Sequence, residues 1–190
     1  MIIILYPYIS KVPGMVQALP GKERTAALSR LARECAAASA LRSGLDIGAF
    51  ETGESGVPLP FRGVFWSLSH KPDYVAGVVS TKGVGIDIEM IKPISEALFR
   101  KIVDETEALL FPGRDRGIIF FRVFTAKEAV LKKAGVGMRG LSKAKIHEVW
   151  DDRNLLIRYL DKKYQVEHFY FDGYLASVTK DNLDIEWRFR

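Results

Sequence analysis

The sequence predicts an α+β fold of two pseudo-symmetric lobes, each a helix packed on a small antiparallel sheet, with an active site at the lobe interface. Three observations lead there. Two helical patterns, residues 25–42 and 116–133, stand far apart, and each is followed by strand-like runs of period two. A segment of the first half, Asp73-Tyr74-Val75-Ala76-Gly77-Val78-Val79-Ser80, is echoed after a one-residue gap by Asp172-Gly173-Tyr174-Leu175-Ala176-Ser177-Val178-Thr179. Finally, Gly85-Ile86-Asp87-Ile88-Glu89 ends the first half, where its acidic pair would face the helix of the second. The expected lobes are residues 1–92 and 93–190, and a lobe interface is a common ligand location.

Residues 2–6 read as the first strand. Leu28, Leu31, Cys35, Ala38 and Leu41 recur every three or four residues along the first helix, which Gly44 stops. A Gly/Pro/Ser-rich loop over residues 53–60 precedes three strands at 64–70, 74–80 and 83–90. Pro93 and Ser95 open a helical region to Leu110, Pro112 and Gly113 close it, and the helix at 116–133 ends at Gly135 and Gly137. From residue 143 onward the chain alternates like antiparallel strands, with turns at Asp151-Asp152, Asp161-Lys162 and Asp172-Gly173.

A chain of 190 residues with 48% apolar composition can build this core without cross-links. Its single cysteine, Cys35, lies on an apolar helix face and is expected to be a buried structural thiol. The apolar run at residues 1–6 is too short for a membrane span or a signal-peptide core, so a cytoplasmic protein without membrane contact is expected. The net charge of +5 favours an anionic partner. Basic and acidic residues are interspersed and no nucleic-acid module is recognisable, which argues against a nucleic-acid partner. The Gly83-Val84-Gly85 and Gly135-Val136-Gly137 words lack the strand, helix and third glycine of a dinucleotide loop.

The chemistry lies in two words. In the first, Asp87 and Glu89 stand two apart on a strand, so both carboxylates share one face with Cα atoms roughly 7 Å apart. In the second, Phe124-Thr125-Ala126-Lys127-Glu128-Ala129-Val130-Leu131-Lys132, Glu128 and Lys132 share a helix face with Thr125 one turn earlier. Alone, the first suits a solvated strand and the second a surface ion pair. Together and in this order they describe a cation-phosphate site. Paired carboxylates repel unless neutralised, and Mg²⁺ takes oxygen ligands such as Asp87, Glu89 and Glu128. Lys132 would neutralise phosphate charge, and Ser69-His70 sits at a turn where an anion could be held. His147 and His168 read as structural, and Phe120, Phe121 and Phe124 as core.

With these residues in this order the chain resembles the phosphopantetheinyl transferases, specifically the single-chain, pseudo-dimeric, surfactin-synthetase-activating type. The resemblance spans residues 22–141: a basic helix entry, the loop Gly56-Val57-Pro58-Leu59-Pro60, the strand ending Ser69-His70, GIDIE followed by Lys92-Pro93, and KEAVLK followed by Gly-x-Gly. It implies transfer of the phosphopantetheine arm from coenzyme A to a serine of an acyl or peptidyl carrier protein, releasing 3′,5′-ADP. Asp87, Glu89 and Glu128 would hold Mg²⁺ on the pyrophosphate, and Asp87, Glu128 and Lys132 would form the catalytic group. Ser69 and His70 would meet the 3′-phosphate, and Lys127 a further phosphate. Glu107 matches a family acidic position.

The sequence departs from the family pattern at Val57, where the loop usually has a lysine contacting coenzyme A; phosphate binding is then expected to lean on Arg62 or on Lys22 and Arg24. Phe124 stands for the usual tryptophan, and the N-terminal basic segment is compressed. The missing lysine motivates an alternative, a non-catalytic module that binds coenzyme A or a carrier protein. Both parts of the site lie on one chain, so a monomer is expected. The positive charge suits the acidic carrier proteins that such enzymes serve.

Overall fold

The computed structural model describes residues 4–54 and 56–190. It is a mixed helix and sheet structure, as expected. The chain runs β1 (Ile4–Leu5), β2 (Tyr8–Lys11), α1 (Gly14–Gln17), α2 (Gly21–Ser43), β3 (Phe65–His70), β4 (Tyr74–Ser80), β5 (Ile86–Met90), α3 (Glu96–Ile102), α4 (Glu105–Ala108) and α5 (Arg116–Ala134). A 3₁₀ segment (Gly137–Lys143) leads into β6 (Ala144–Val149), β7 (Asn154–Tyr159), β8 (Lys162–Phe171), β9 (Tyr174–Thr179), β10 (Asp184–Ile185) and β11 (Arg188–Phe189). Of the first expected strand, residues 2 and 3 lie outside the described residues.

Helix α2 begins four residues before the expected start. Pro20 occupies the N-cap position and Thr25 Oγ1 donates back to the Gly21 carbonyl at 3.2 Å, so Thr25 lies inside the helix. Its buried stripe also differs from the expected one: Leu41 is exposed, and Ala32, Cys35, Ala36, Ser39 and Ala40 face inward. Small side chains let α2 lie close on β4. A Cβ on Gly77 would stand 2.5 Å from the Ala32 carbonyl oxygen and the Ala36 nitrogen. Cys35 is fully buried, and burial pushes its thiol up to about 12, so it is an inert core group.

Two larger sheets lie between α2 and α5. The first has the order β11-β2-β4-β3 and the second β5-β9-β8-β7-β6, while β1 and β10 form a parallel pair of their own. Tyr74, Ala76 and Val78 of β4 share one core with Ile86 and Ile88 of β5 and Ala176 and Val178 of β9. The other face of β4 meets α2. Strand β4 is therefore buried along its whole length, which its unbroken apolar run requires. Helix α5 covers the outer face of the second sheet with Phe120, Phe121, Val123 and Leu131. Gly85 permits that approach, because a Cβ there would stand 1.9 Å from the Ala129 carbonyl oxygen.

The sheets do not follow the expected division at residue 92. Strand β5 pairs with β9 and belongs to the second sheet, and β11 crosses back to pair with β2 in the first. The physical reason is that β5 has Gly85 against α5 and an apolar face for the inter-sheet core, so it is placed by packing and not by its position in the chain. The echoed segments meet across this core. Tyr74 donates to Asp172 Oδ2 at 2.5 Å and Tyr174 donates to Asp73 Oδ2 at 2.6 Å, with ring centroids 5.0 Å apart.

Strand β3 is an edge of the first sheet and β5 an edge of the second. No backbone ladder joins them among the described residues; two serines do. Ser67 Oγ accepts from the Ile86 amide at 3.0 Å and Ser69 Oγ from the Ile88 amide at 3.2 Å.

Gly85→Ala and Gly77→Ala should each destabilise the protein by about 1–3 kcal/mol or more through overpacking. Gly83→Ala, whose Cβ would meet only Lys133 side-chain carbons at 3.8 Å, should leave it unchanged. Thermal unfolding of the three variants checks the contrast.

Candidate active site

Strand β5, the end of β3 and helix α5 converge on a cavity of about 390 Å³ lined by Ser69, His70, Lys71, Asp87, Glu89, Phe124, Glu128 and Lys132. An adjoining cavity of about 330 Å³ shares Leu68, His70 and Lys132 with it and runs between α2 and the 52–58 loop. That loop is closed by the Thr52–Pro58 bridge and anchored by Trp66, whose Nε1 donates to the Leu59 carbonyl at 2.9 Å. A larger hollow of about 800 Å³ lies elsewhere, beside Lys133, Tyr164 and Asp181. It holds none of the clustered carboxylates, so its size does not make it the site.

Period two puts Asp87 and Glu89 on the α5 side of β5, and helical spacing brings Glu128 and Lys132 to meet them. Asp87 is 5% exposed; its Oδ1 accepts from Ser69 Oγ at 2.9 Å and from Lys132 Nζ at 2.8 Å, while its Oδ2 is buried without a hydrogen-bond partner among the described residues. Glu128 Oε1 is likewise buried and unpartnered. Burial, then the Asp87 charge, pushes the Glu128 carboxyl up to about 7, with Lys132 opposing and Glu89 adding to the rise. Burial also raises Glu89, against the attraction of Lys71, whose Nζ lies 2.6 Å from Glu89 Oε1.

Lys132 is tied on three sides, donating to the Leu68 carbonyl at 3.1 Å, the Ile86 carbonyl at 2.9 Å and Asp87. It fastens α5 to both edge strands. His70 lies at the mouth shared by the two cavities; burial, with Lys132 and Lys71 nearby, lowers its pKa, so at neutral pH it offers an N–H without a net charge.

Four expected cofactor contacts are placed differently. Lys127 is 1% exposed on the far face of α5, donating to Glu107 Oε2 at 2.8 Å and to the Ile102 carbonyl at 2.9 Å. It is a core ion pair and does not reach the cleft, because residues 127 and 128 of one helix point about 100° apart. Glu107 completes the pair's surroundings by accepting from the Asp104 and Ile146 amides at 3.1 and 2.8 Å, which gives this acidic position a structural role joining α4, α5 and β6. Ser69 lines the cavity, yet its hydroxyl is already spent on Asp87 and the Ile88 amide, so it acts as a strut. Arg24 and Arg62 are exposed and line neither cavity; Arg62 turns over the Phe61 ring instead.

Besides the shared Lys132, the second cavity is lined by Arg33, held by its Nη1 donating to Ser29 Oγ at 2.6 Å. Its i,i+4 spacing with Ser29 was visible in the sequence, but the direction of that helix face was not. Val57 lines the same wall. Phe120 and Phe121 are core as expected, whereas half-buried Phe124 stacks on Phe120 and also walls the carboxylate cavity. His168 is fully buried and bonded through Nδ1 to Ser177 Oγ at 2.8 Å, the structural role expected of it.

Among the described residues no three acidic, histidine or cysteine side chains form a ready-made metal cage. Asp87 and Glu128 nonetheless present buried, unpartnered carboxylate oxygens, the hard donors that suit Mg²⁺. Glu89 is turned toward Lys71.

Two outcomes follow from these environments. Lys127→Met would strand Glu107 as a buried charge and should cost about 3–5 kcal/mol in denaturant unfolding, with Glu107→Gln added to it restoring part of the loss. Glu128 has a folded pKa above its ordinary value, so its stabilising proton is fully held below about pH 4.5 and lost as pH rises through about 7. In EDTA, Glu128→Gln should therefore melt a few degrees above the native chain at pH 8 and level with it at pH 4.5.

The sequence model of the 4′-phosphopantetheinyl transferase superfamily matches residues 83–179, the stretch that carries Asp87, Glu89, Glu128 and Lys132. The chain is 39% identical over 99 residues to the 4′-phosphopantetheinyl transferase psf-1 of Bacillus pumilus, covering 49% of this chain and 42% of that protein. It is 29% identical over 137 residues to the transferase gsp of Aneurinibacillus migulanus, covering 67% and 56% of the two chains. To HetI of Nostoc sp. it is 34% identical over 90 residues, covering 44% and 38%. The matched stretches thus span about half the length of these relatives. This chain belongs to the 4′-phosphopantetheinyl transferase superfamily.

Proposed function

We propose that the chain transfers the 4′-phosphopantetheine arm of coenzyme A to a serine of an acyl or peptidyl carrier protein. The observation that carries this reading is the convergence of Asp87, Glu89, Glu128, Lys132 and His70 on one cleft, in a chain of this superfamily. In the reaction the serine oxygen attacks the phosphorus that bears the pantetheine. The bond from that phosphorus to the bridging oxygen of the pyrophosphate breaks, and 3′,5′-ADP leaves with the electron pair.

Glu128 has the proton affinity to take the serine proton near neutral pH, directly or through water. Asp87, Glu89 and Glu128 are the residues that would hold Mg²⁺. Bound there, Mg²⁺ would supply neutralising charge to the pyrophosphate oxygens. Lys132, fixed by two carbonyls, would place its ammonium beside the same point. His70 offers a neutral donor at the mouth, and Arg33, which lines the adjoining cavity with Lys132, would take over from the missing loop lysine at Val57. The positive net charge suits an acidic carrier surface.

We read the two helix-on-sheet halves as pseudo-symmetric lobes, since the echoed Asp73-Tyr74 and Asp172-Tyr174 exchange hydrogen bonds. A monomer suffices, because β3, β5 and α5 of one chain complete the cleft. A coenzyme A substrate and an unbridged thiol suit the cytoplasm.

The test is the intact mass of several apo carrier proteins after incubation with the protein, Mg²⁺ and coenzyme A. A gain of one phosphopantetheine that EDTA abolishes is expected, and binding of coenzyme A with no gain on any carrier would favour the binding-only alternative. Asp87→Ala and Glu128→Gln should lose transfer while keeping the fold. His70→Ala should weaken coenzyme A binding, measured by calorimetry, more than it lowers the rate at saturation.

A further inference from the structure

Three carboxylates in the cleft face two lysines, and the two lysines are held differently. Lys132 has three acceptors, two of them backbone carbonyls of different strands, so its ammonium is fixed by the fold. Lys71 lies in the β3–β4 turn next to His70, and its ammonium has Glu89 as its one partner among the described residues. Its side chain is 32% exposed, against 15% for Glu89. Glu89 is thus occupied by an internal cation while Asp87 Oδ2 and Glu128 Oε1, in the same cavity, have no hydrogen-bond partner among the described residues.

We propose that Lys71 is a displaceable counterion of this site: it neutralises Glu89 in the metal-free chain, yields Glu89 when a divalent cation is bound, and then presents its ammonium to the anionic substrate. This rests on the transferase reading, which supplies the cation and a pyrophosphate-bearing substrate. The charges require such a device. With two lysines the three carboxylates are nearly balanced, so a divalent cation brings a surplus of positive charge, and a flexible lysine released at the rim places that surplus where a phosphate enters. Lys71 would then weaken cation binding on its own and strengthen anion binding once the cation is in place, coupling the two in one direction.

The test is a titration of the full chain with Mn²⁺, followed by electron paramagnetic resonance, for the native protein, Lys71→Met, Lys71→Arg and Lys162→Met, a surface lysine outside the cleft. Lys71→Met should bind Mn²⁺ about fivefold more tightly than the native chain, the size of one partly exposed ion pair. Lys71→Arg and Lys162→Met should match the native chain. In saturating Mn²⁺, inorganic pyrophosphate should bind Lys71→Met about fivefold more weakly. Unchanged or weaker Mn²⁺ binding by Lys71→Met overturns the proposal, and so does unchanged pyrophosphate affinity; in either case Mn²⁺ binding by the native chain leaves the metal-dependent transferase reading standing. Absence of Mn²⁺ binding by all four chains would remove that reading and this proposal together.

Discussion

The hydroxyls of Ser67 and Ser69 join the two sheets at the point where the cleft forms. Each accepts an amide of β5 that has no neighbour in its own sheet, so an edge strand that would otherwise expose unpaired donors is closed by side chains. Lys132 reinforces the joint by reaching a carbonyl on each side. Because Ser69 also donates to Asp87, the hydroxyl that helps align the sheets also orients the buried carboxylate. The site is a product of the sheet junction and would not exist in either sheet alone.

Helix placement follows from two missing side chains. Gly77 lets the backbone of α2 rest on β4, and Gly85 lets α5 rest on the start of β5. The second contact sets the height of Glu128 above Asp87 and Glu89. On its other face α5 is held by the buried Lys127–Glu107 pair, whose hydrogen bonds tie it to α4 and β6. Neighbouring residues 127 and 128 therefore divide between two tasks, one anchoring the helix and the other carrying the reactive carboxylate.

Electrostatics within the cleft is a near balance. Burial and mutual repulsion raise Glu128 and Glu89, and two lysines offset part of that repulsion. Such a site responds to any added charge. A cation relieves the carboxylates, a proton near neutrality does the same at Glu128, and the lowered pKa of His70 keeps a third positive charge out.

Much of this was legible in the sequence. The period-two acidic word, the helical Glu128–Lys132 spacing, the strand turns and the glycine stops at Gly44 and Gly135 were all local patterns, and local patterns are set by backbone geometry that depends little on distant residues. What only the tertiary structure decided was direction and partnership. Lys127 lies beside Glu128 in sequence but faces the core; Arg33 turns toward the cleft where Arg24 and Arg62 do not; Ser69 is consumed as a strut; and β5 joins the sheet of the second half. Each depends on which surface another element covers, and that is fixed by close packing between segments remote in the chain, such as Gly85 against Ala129. The sequence by itself determined the chemical groups and their local spacing; the packing of α5 against the sheet junction decided which of them share a cleft.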